Sequence, residues 1–378
     1  MNSIISRRRW VLSTAAALSC TRRKATGFQG YCFVANRAGR SLSVVDLNRF
    51  RPKKPIPLDA APVVVIAHPS APKAFALAPE TGTVYEIDAG PLTISRRVRA
   101  GNIAAAMQLA PDGSALWVLY HDPAELVELP LDSLRPRKRI HLSAPPDTLA
   151  LSETNRAAIA SRQDRSIVLA SLETGAVQST IASGDEPSLL HWQKDGKQLI
   201  VGSGPERSVG IFDAVRGKVV VRLPLPLEPR HFVAKADGGQ VFISGAGMDA
   251  VVILYPYRTE IAETTLAGRA PAGMAVTDSP PYLLVTNPET NSLTVLNFDN
   301  MGRKLVAVVQ VGQEPRHVLI TPDGQYALVL NEKSGDMAVV RMQSLSNQDS
   351  TRRYRPTPLF TMVPVGAQPV SAAVVAVA

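Results

Sequence analysis

Residues 282–296 read YLLVTNPETNSLTVL, in which two mostly apolar runs flank a short polar stretch. Both runs are rich in aliphatic, aromatic and β-branched side chains, which favour strands over helices. The stretch between them carries Pro, Asn and Ser, which are residues that favour turns. The segment therefore predicts two antiparallel strands joined by a tight connection.

The same pattern recurs along the chain at nearly constant spacing. The first residue of the second run in each unit is Leu42, Val84, Leu126, Ile167, Val209, Val251, Leu293 and Met337. The steps between these positions are 42, 42, 41, 42, 42, 42 and 44 residues. A second landmark, a proline ahead of another apolar run, occurs at Pro62, Pro146, Pro187, Pro229, Pro271, Pro315 and Pro369, and Ala104 takes its place in the remaining unit. Two landmarks with one period establish an internal repeat.

A unit of about 42 residues with several short strand signals is the size of one four-stranded propeller blade. We therefore predict an all-β fold, a single β-propeller of eight four-stranded blades over residues 31–378. Seven blades is the alternative if one unit is not a complete blade. The apolar end of the chain, from Val370 to Ala378, is expected to pair with the unit at Tyr31 and close the ring. The polar stretch from Gln343 to Pro356 is predicted to be a surface loop.

The N-terminus has the features of an export signal. Residues 6–12 read SRRRWVL and resemble the twin-arginine motif, and an apolar stretch from Val11 to Leu18 follows them. We expect a signal peptide over residues 1–20, a tether over residues 21–30, and a periplasmic location. Cys20 closes a sequence similar to a lipoprotein cleavage box, from which Ala17 departs, so lipidation of Cys20 and simple cleavage both remain open. The alternative is a basic tail on a cytosolic protein.

Composition argues against several classes of function. The net charge is +9, but six of the basic residues fall in the leader and tether, and the remaining ones are scattered. Aromatic residues make up only 5% of the chain, so no nucleic-acid platform is expected. The six His show no metal-ligand spacing, so no metal site is predicted. Cys32 lies in an apolar run and is expected to be buried.

The units at 31–46 and 282–296 resemble the YVTN-type β-propeller repeat, whose unit combines a Tyr-Val-Thr-Asn strand, a polar turn and a second apolar strand. This resemblance covers nearly all of the expected mature chain. It implies a propeller architecture, and proteins of this kind are mostly exported binding or surface proteins. It implies no particular chemistry, because this fold hosts unrelated functions.

A narrower resemblance is to the propeller lactonases, relatives of 6-phosphogluconolactonase and the muconate cycloisomerases. Residues 314–317 read EPRH, and Asn331-Glu332 follow at the family's spacing. The resemblance implies catalytic roles for Arg316 and Glu332 at the mouth of the central channel, with His317 as a further candidate. Glu314 replaces the usual Gly, residues 229–231 repeat only the first half of the motif, and a further His of the family has no counterpart.

Propeller geometry brings the starts of the innermost strands and the ends of the second strands to one face, around the channel. We expect there Asn36, Arg37, His121, Asp122, Asp147, Arg162, Arg230, His231, Asn287, Arg316, His317, Asn331 and Glu332. Arg side chains match carboxylate and phosphate oxygens two at a time, and a His near neutral pH can act as a base. Alternatively, these residues bond neighbouring blades, with Glu332 simply paired to Arg316.

Two functions follow from the sequence. The first is a monomeric, non-catalytic binding protein that recognises a protein, a glycan or a small anionic ligand through Arg230, His231, Arg316, Asn331, Asn36, Arg37, Asp147 and His121, without a cofactor. The second is a lactone hydrolase or related isomerase. A haem-binding role through His231 or His317 has only isolated histidines in its favour. The direction of the Arg316 and Glu332 side chains separates these alternatives. If both point into an open channel they form a ligand site, and if they are sealed between blades they are a structural pair.

Overall fold

A computed structural model describes residues 27–298, 304–346 and 357–377. The predicted signal peptide, the lipidation site at Cys20 and most of the tether lie outside the described residues. Within those residues, no helix is long and apolar enough to cross a membrane.

The described chain forms eight antiparallel sheets arranged as the blades of one propeller. The first blade contains β1 (Gly30–Asn36), β2 (Ser41–Asp46) and two short outer strands, β3 (Arg51–Pro52) and β4 (Ile56–Pro57). The second blade contains β5 (Val64–Ala67), β6 (Lys73–Ala78), β7 (Thr83–Asp88) and β8 (Thr93–Arg99). The third contains β9 (Ile103–Leu109), β10 (Ala115–Asp122), β11 (Glu125–Pro130) and β12 (Arg139–His141). The fourth contains β13 (Thr148–Ser152), β14 (Arg156–Ser161), β15 (Ser166–Ser171) and β16 (Ala176–Ala182).

The other four blades follow the same order. The fifth contains β17 (Pro187–Trp192), β18 (Gln198–Ser203), β19 (Ser208–Asp213) and β20 (Lys218–Pro224). The sixth contains β21 (Glu228–Ala234), β22 (Val241–Ala246), β23 (Ala250–Tyr255) and β24 (Glu260–Leu266). The seventh contains β25 (Met274–Val276), β26 (Tyr282–Asn287), β27 (Ser292–Asn297) and β28 (Lys304–Gln310). The eighth contains β29 (Pro315–Ile320), β30 (Tyr326–Asn331), β31 (Asp336–Arg341) and β32 (Leu359–Pro364), and the last strand is β33 (Pro369–Ala376).

The ring closes as the sequence predicts. β33 pairs with β1 in an antiparallel register that runs from Gly30 opposite Ala376 to Asn36 opposite Pro369. The last strand is thus the innermost strand of the first blade, and the prediction of eight blades is confirmed. The seven-bladed alternative is wrong, because every unit, including the one that has Ala104 in place of proline, forms its own sheet.

Asp-Gly turns join the first and second strands of several blades. Gly113, Gly196, Gly238 and Gly324 have φ between 66° and 71°, a left-handed conformation that glycine adopts without steric cost. The preceding aspartate accepts a backbone N–H two residues further on, as in the 2.9 Å bond from Lys197 N to Asp195 Oδ1. These turns all lie on one face of the propeller, which we call the far face. The opposite face, where innermost strands begin and second strands end, is the mouth.

The apolar core lies between neighbouring blades, and one of its clusters joins the eighth blade to the first. Cys32 belongs to this cluster and is fully buried, and burial raises the pKa of its thiol to about 12. The stretch from Gln343 departs from the predicted loop, because Gln343–Ser346 forms one helical turn. Leu345 in that turn is 1% exposed, so its apolar side chain anchors a segment that otherwise reads as polar. Residues 347–356 lie outside the described residues.

Candidate anion-binding site at the channel mouth

In each blade, the two residues that follow the landmark proline, or Ala104 in its place, lie at the mouth. In most blades these residues are small, apolar or hydroxylated; Val63-Val64, Ala105-Ala106 and Ser188-Leu189 are examples. The sixth and eighth blades differ, because they carry Arg230-His231 and Arg316-His317. In both blades the strand register shifts at this arginine, between Pro229 and His231 and between Pro315 and His317. Such a bulge redirects side chains from the regular alternation of a strand, and here it lies at the rim of the channel.

Arg316 is half-exposed and forms the centre of a charged cluster. Its Nε lies 2.9 Å from Glu332 Oε2, and its Nη2 lies 3.6 Å from Glu314 Oε2. The side chain of Arg316 is 51% exposed, whereas that of Glu332 is only 17% exposed. Glu314 also pairs with Lys333, at 3.5 Å. The guanidinium therefore stands at the solvent side of the cluster, with Glu332 behind it.

Arg230 is the corresponding cation of the sixth blade. Its Nη2 lies 3.5 Å from Glu228 Oε1, and its side chain is 57% exposed. Burial is the main cause that lowers the pKa of His231, and the positive charges of Arg230 and Arg316 lower it further. Both charges therefore act on the same imidazole, although a whole blade separates the two arginines.

His317 lies deeper than the arginines. Burial lowers its pKa to about 4, and the neighbouring His231 adds to this effect. At neutral pH His231 and His317 are therefore both uncharged imidazoles. A neutral imidazole can accept or donate a hydrogen bond, act as a base or bind a metal ion.

Gly273 of the intervening seventh blade makes room for this arrangement. A Cβ atom at Gly273 would overlap the carbonyl oxygen of Arg316 and lie 3.1 Å from the Cα of His317. Only a glycine permits so close an approach between the two backbones. At this position the blade between the two Arg-His pairs thus has no side chain.

Glu332 is held by three groups. Besides the bond from Arg316, its Oε1 accepts a 2.7 Å hydrogen bond from Gln368 Nε2 and lies 3.9 Å from Arg37 Nη2. Arg37 Nε in turn donates to Gln368 Oε1 at 3.3 Å. Gln368 immediately precedes the closing strand β33, so this network also ties the ends of the chain together. The pair of Arg316 and Glu332 is therefore not sealed between blades, since the arginine faces solvent while the carboxylate behind it is bonded to Arg316 and Gln368.

Three predicted mouth residues, Asn36, Asn287 and Asn331, are wholly buried. Each ends the second strand of its blade, and its Nδ2 donates to the start of the third strand: Asn36 to Ser43 Oγ at 2.9 Å, Asn287 to Thr294 Oγ1 at 2.9 Å and Asn331 to Asp336 Oδ1 at 2.6 Å. With 0% exposure, Asn36 and Asn331 cannot contact a ligand, and this corrects their assignment as binding residues. They lie under the mouth and hold its loops.

Asp147, Arg162 and His121 form a separate group on the third and fourth blades. Asp147 Oδ2 accepts a 2.7 Å bond from the Arg162 backbone N–H, and its Oδ1 lies 3.2 Å from Arg162 Nη2. His121 Nδ1 lies 3.3 Å from the carbonyl oxygen of Pro146. Asp122 accepts from Asn102 at 3.1 Å. No contact joins this group to Arg230 or Arg316 in the described part of the chain, so the predicted set divides into two.

Sequence reasoning missed Glu228, Gly273, Lys333 and Gln368. Glu314 was noticed only as a departure from the lactonase pattern, although it contributes a carboxylate to the site. Gln368 had a usable signal, because it directly precedes the landmark Pro369 and so must lie at the mouth. No cluster of three or more His, Cys, Asp or Glu able to hold a metal ion occurs among the described residues.

A cavity of about 590 Å³ lies at the far face and not at the mouth. It is lined by Gln108, Leu109, Pro111, Asp112, Leu151, Glu153 and Asn155. Gln108 donates to Leu149 O and accepts from Leu151 N, so its amide is committed to joining two blades. The lining offers exposed carboxylates and no arginine, which sets it apart from the mouth.

Comparisons with known protein families and curated proteins agree with a propeller. A family model described as lactonase, 7-bladed beta-propeller, matches residues 229–354, one third of the chain. An uncharacterized protein YncE from Escherichia coli O157:H7 is 27% identical over 156 residues, which are 38% of this chain and 44% of the relative. The Salmonella typhi protein of the same name is 26% identical over 156 residues, which are again 38% of this chain and 44% of the relative. The match therefore spans less than half the length of these curated relatives.

Solved structures support the fold alone, because their sequence identities are low. Dihydro-heme d1 dehydrogenase NirN, in complex with DHE, superposes with a TM-score of 0.76 at 16% identity, over 91% of this chain and 75% of its own. Hydrazine synthase of Kuenenia stuttgartiensis gives a TM-score of 0.59 at 19% identity, over 74% of this chain and 95% of its own. A functionally unknown protein from Desulfotomaculum acetoxidans gives a TM-score of 0.61 at 10% identity, over 92% of this chain and 99% of its own. The chain is thus an eight-bladed propeller that resembles YncE over part of its length and is similar to the lactonase family over residues 229–354.

Proposed function

We propose that this protein is an exported β-propeller that binds a small anionic ligand at the channel mouth and does not itself transform it. The observation that carries the proposal is the pair Arg230 and Arg316, each about half-exposed at the mouth and each followed in sequence by a histidine, with both positive charges acting on His231. A guanidinium group matches carboxylate or phosphate oxygens with two donors, so each of the two arginines can hold an anion.

The charge balance of the cluster supports an anion. Arg37, Arg230, Arg316 and Lys333 face the carboxylates of Glu228, Glu314 and Glu332. The cluster therefore carries one excess positive charge, which the neutral imidazoles do not alter. A guanidinium has five N–H donors, and the carboxylate partners of Arg230 and Arg316 leave donors for a ligand.

The state of Glu332 supports binding without chemistry. A general base must accept a proton from the reacting group, and Glu332 already accepts from Arg316 and Gln368. Removing that carboxylate from its partners would leave Arg316 without its closest counter-charge. The bonds therefore favour a role in which Glu332 orients Arg316.

Isothermal titration with citrate, succinate and inorganic phosphate tests this proposal. Arg230→Gln and Arg316→Gln should each weaken binding of the preferred anion at least about tenfold, because each removes a charge-assisted pair. Arg216→Gln is the matched control, because Arg216 pairs with Asp213 at the far face. Equal binding by all four proteins, or binding of none of the three anions to the wild type, contradicts the proposal.

A lactone hydrolase is the second candidate function. The lactonase family model covers both Arg-His pairs, and the 2.9 Å contact between Arg316 and Glu332 supports it. In such a reaction a water oxygen attacks the lactone carbonyl carbon while His317 or Glu332 takes the water proton. Arg316 would stabilise the oxyanion, and the same proton would return to the alkoxide as the ring C–O bond breaks.

Turnover of a panel of γ- and δ-lactones separates the two functions. If the protein is a lactonase, Glu332→Gln should lower kcat by at least about 100-fold, while Glu314→Gln, which changes a neighbouring carboxylate, should have a small effect. Turnover that survives Glu332→Gln would rule out this catalytic role.

A haem-type tetrapyrrole is one anion worth including among the ligands. The solved structure of NirN, which superposes on this chain with a TM-score of 0.76, is a complex with DHE. The donor set at the mouth fits such a group, because neutral imidazoles at His231 and His317 can bind iron and arginines can hold its carboxylates. Bound haem would supply an iron centre with redox chemistry. A shift of the haem absorption band that persists in His231→Gln with His317→Gln would argue against these ligands.

A further inference from the structure

We infer that a groove on the far face, between the fifth and sixth blades, binds a neutral saccharide. The groove has a volume of about 420 Å³, a size that suits a small ligand. It is lined by Tyr257 of the sixth blade and by six residues of the fifth, Asp195, Lys197, Gln198, Asp213, Val215 and Arg216. This Tyr257 groove shares no residue with the mouth, so the inference does not rest on the proposed anion site.

Two exposed apolar side chains flank the Tyr257 groove. Val215 is 70% exposed and Tyr257 is 56% exposed. Each lies in the turn between the third and fourth strands of its blade, whereas the other exposed large apolar residues of the described chain lie within strands. Apolar surface in contact with water is stabilised when the apolar part of a ligand covers it. The groove therefore favours a ligand that has an apolar face.

The local structure holds the Tyr257 ring in place. Tyr257 is the middle residue of the 3₁₀ turn Pro256–Arg258, which starts with a buried proline and ends at Thr259 in a left-handed conformation with φ of 54°. A Cβ atom at Gly238 would lie 3.3 Å from the Tyr257 hydroxyl oxygen, so the end of the ring lies beside the neighbouring Asp-Gly turn. Because the ring is already positioned, a ligand that stacks on it loses little affinity to ordering of the side chain.

The charged side chains of the groove balance one another. Lys197 and Arg216 carry two positive charges, and Asp195 and Asp213 carry two negative ones. Arg216 Nη1 donates to Asp213 Oδ2 at 3.2 Å, and Asp195 Oδ1 accepts from the Lys197 backbone N–H at 2.9 Å. The Arg216 side chain is 78% exposed and keeps further donors for a ligand. An ionic ligand gains no net attraction here, so the groove favours an uncharged one.

A saccharide satisfies all of these features at once. Its hydroxyl groups both donate and accept hydrogen bonds, and the C–H face of its ring can lie against an aromatic side chain. Within the described chain, no hydrogen bond or ion pair engages the Lys197 ammonium, the Gln198 amide or the Tyr257 hydroxyl, so these groups can bond to sugar hydroxyls. The seven lining residues are too few for a stable protein interface, which uses roughly 20–30 residues on each side.

Isothermal titration with maltose, cellobiose and N,N′-diacetylchitobiose tests the inference. At least one of these disaccharides should bind, and Tyr257→Ala should weaken its binding by about two- to tenfold, because the variant removes the stacking surface. Tyr257→Phe keeps the ring and should have a smaller effect. Val215→Ala should also weaken binding, and Val308→Ala is its matched control, because Val308 is 54% exposed on the outer strand β28.

The failures of this inference and of the anion site are distinguishable. If none of the three disaccharides binds the wild type, or if Tyr257→Ala binds them as tightly as the wild type, the saccharide site is wrong. Arg316→Gln should leave disaccharide binding unchanged, and Tyr257→Ala should leave the titration with anions unchanged. A loss of disaccharide binding in Arg316→Gln would place the sugar at the mouth and overturn the inference.

Discussion

The strand β33 closes the ring, and we predict that the free energy of unfolding depends strongly on it. Its Val375 is 2% exposed and Ala373 is 8% exposed, and β33 pairs with β1 over seven residue positions. Burying a valine side chain stabilises a fold by roughly 1.5–3 kcal/mol, and each intramolecular hydrogen bond adds roughly 0.5–1.5 kcal/mol. The strand as a whole therefore contributes on the order of 10 kcal/mol, which is comparable to the entire free energy of unfolding of a typical protein.

Adjacent residues of this strand provide a matched pair of variants. Val375→Asp places a carboxylate in the buried core between the first and second blades, and an unpaired buried charge costs several kcal/mol. Ala376→Asp places the same carboxylate on the exposed side of the strand, where a substitution changes stability by about 0.5 kcal/mol or less. Deleting Pro369–Ala378 removes the strand and leaves β1 as an open edge.

Thermal unfolding followed by circular dichroism, together with size-exclusion chromatography, checks this prediction. Val375→Asp and the deletion should lower Tm strongly and produce aggregates or oligomers, while Ala376→Asp should unfold like the wild type. A monomeric deletion variant with the wild-type Tm would refute the claim that the chain ends share a blade.

Three further predictions concern individual side chains. The pKa of His317 is about 4 in the folded protein, whereas an unfolded His titrates near 6.5. Between these pH values the unfolded state binds more protons than the folded state. The free energy of unfolding should therefore fall by at most about 3 kcal/mol as the pH decreases from 6.5 to 4. His317→Gln should therefore flatten the pH dependence of urea unfolding over that range. Gly273→Ala should cost roughly 1–3 kcal/mol and displace Arg316, so anion titration should show weaker binding; unchanged binding would contradict the close approach. Arg156 donates to Gly196 O and Ala214 O, so Arg156→Met should lower the free energy of unfolding by roughly 2 kcal/mol in urea titrations, whereas the exposed Arg165→Met should not.

The fold could be predicted from the sequence because the repeat multiplies a weak signal. A single run such as residues 282–287 gives only a strand, but eight copies at one period give a closed ring. Closure was also predictable, since the first unit lacks an innermost strand and the chain ends with one. The helical turn at Gln343–Ser346 was not, because one buried leucine in a polar stretch leaves no periodic pattern.

The site could be predicted in position but not in detail. The Arg-His pairs stand out because they break the repeat, and the structure places both at the mouth. Burial could not be derived from residue type, so Asn36 and Asn331 were expected at the surface although they bond strands beneath it. The Glu332 network was also hidden, because Gln368 approaches from the other end of the chain.

A crystal structure with bromosuccinate would test the central claim most directly, because the anomalous signal of bromine locates the bound anion. The account predicts a carboxylate of the ligand within hydrogen-bonding distance of Arg230 and Arg316 at the mouth. A carboxylate bound elsewhere, or bromine in the far-face cavity at Glu153 with the mouth empty, would contradict it.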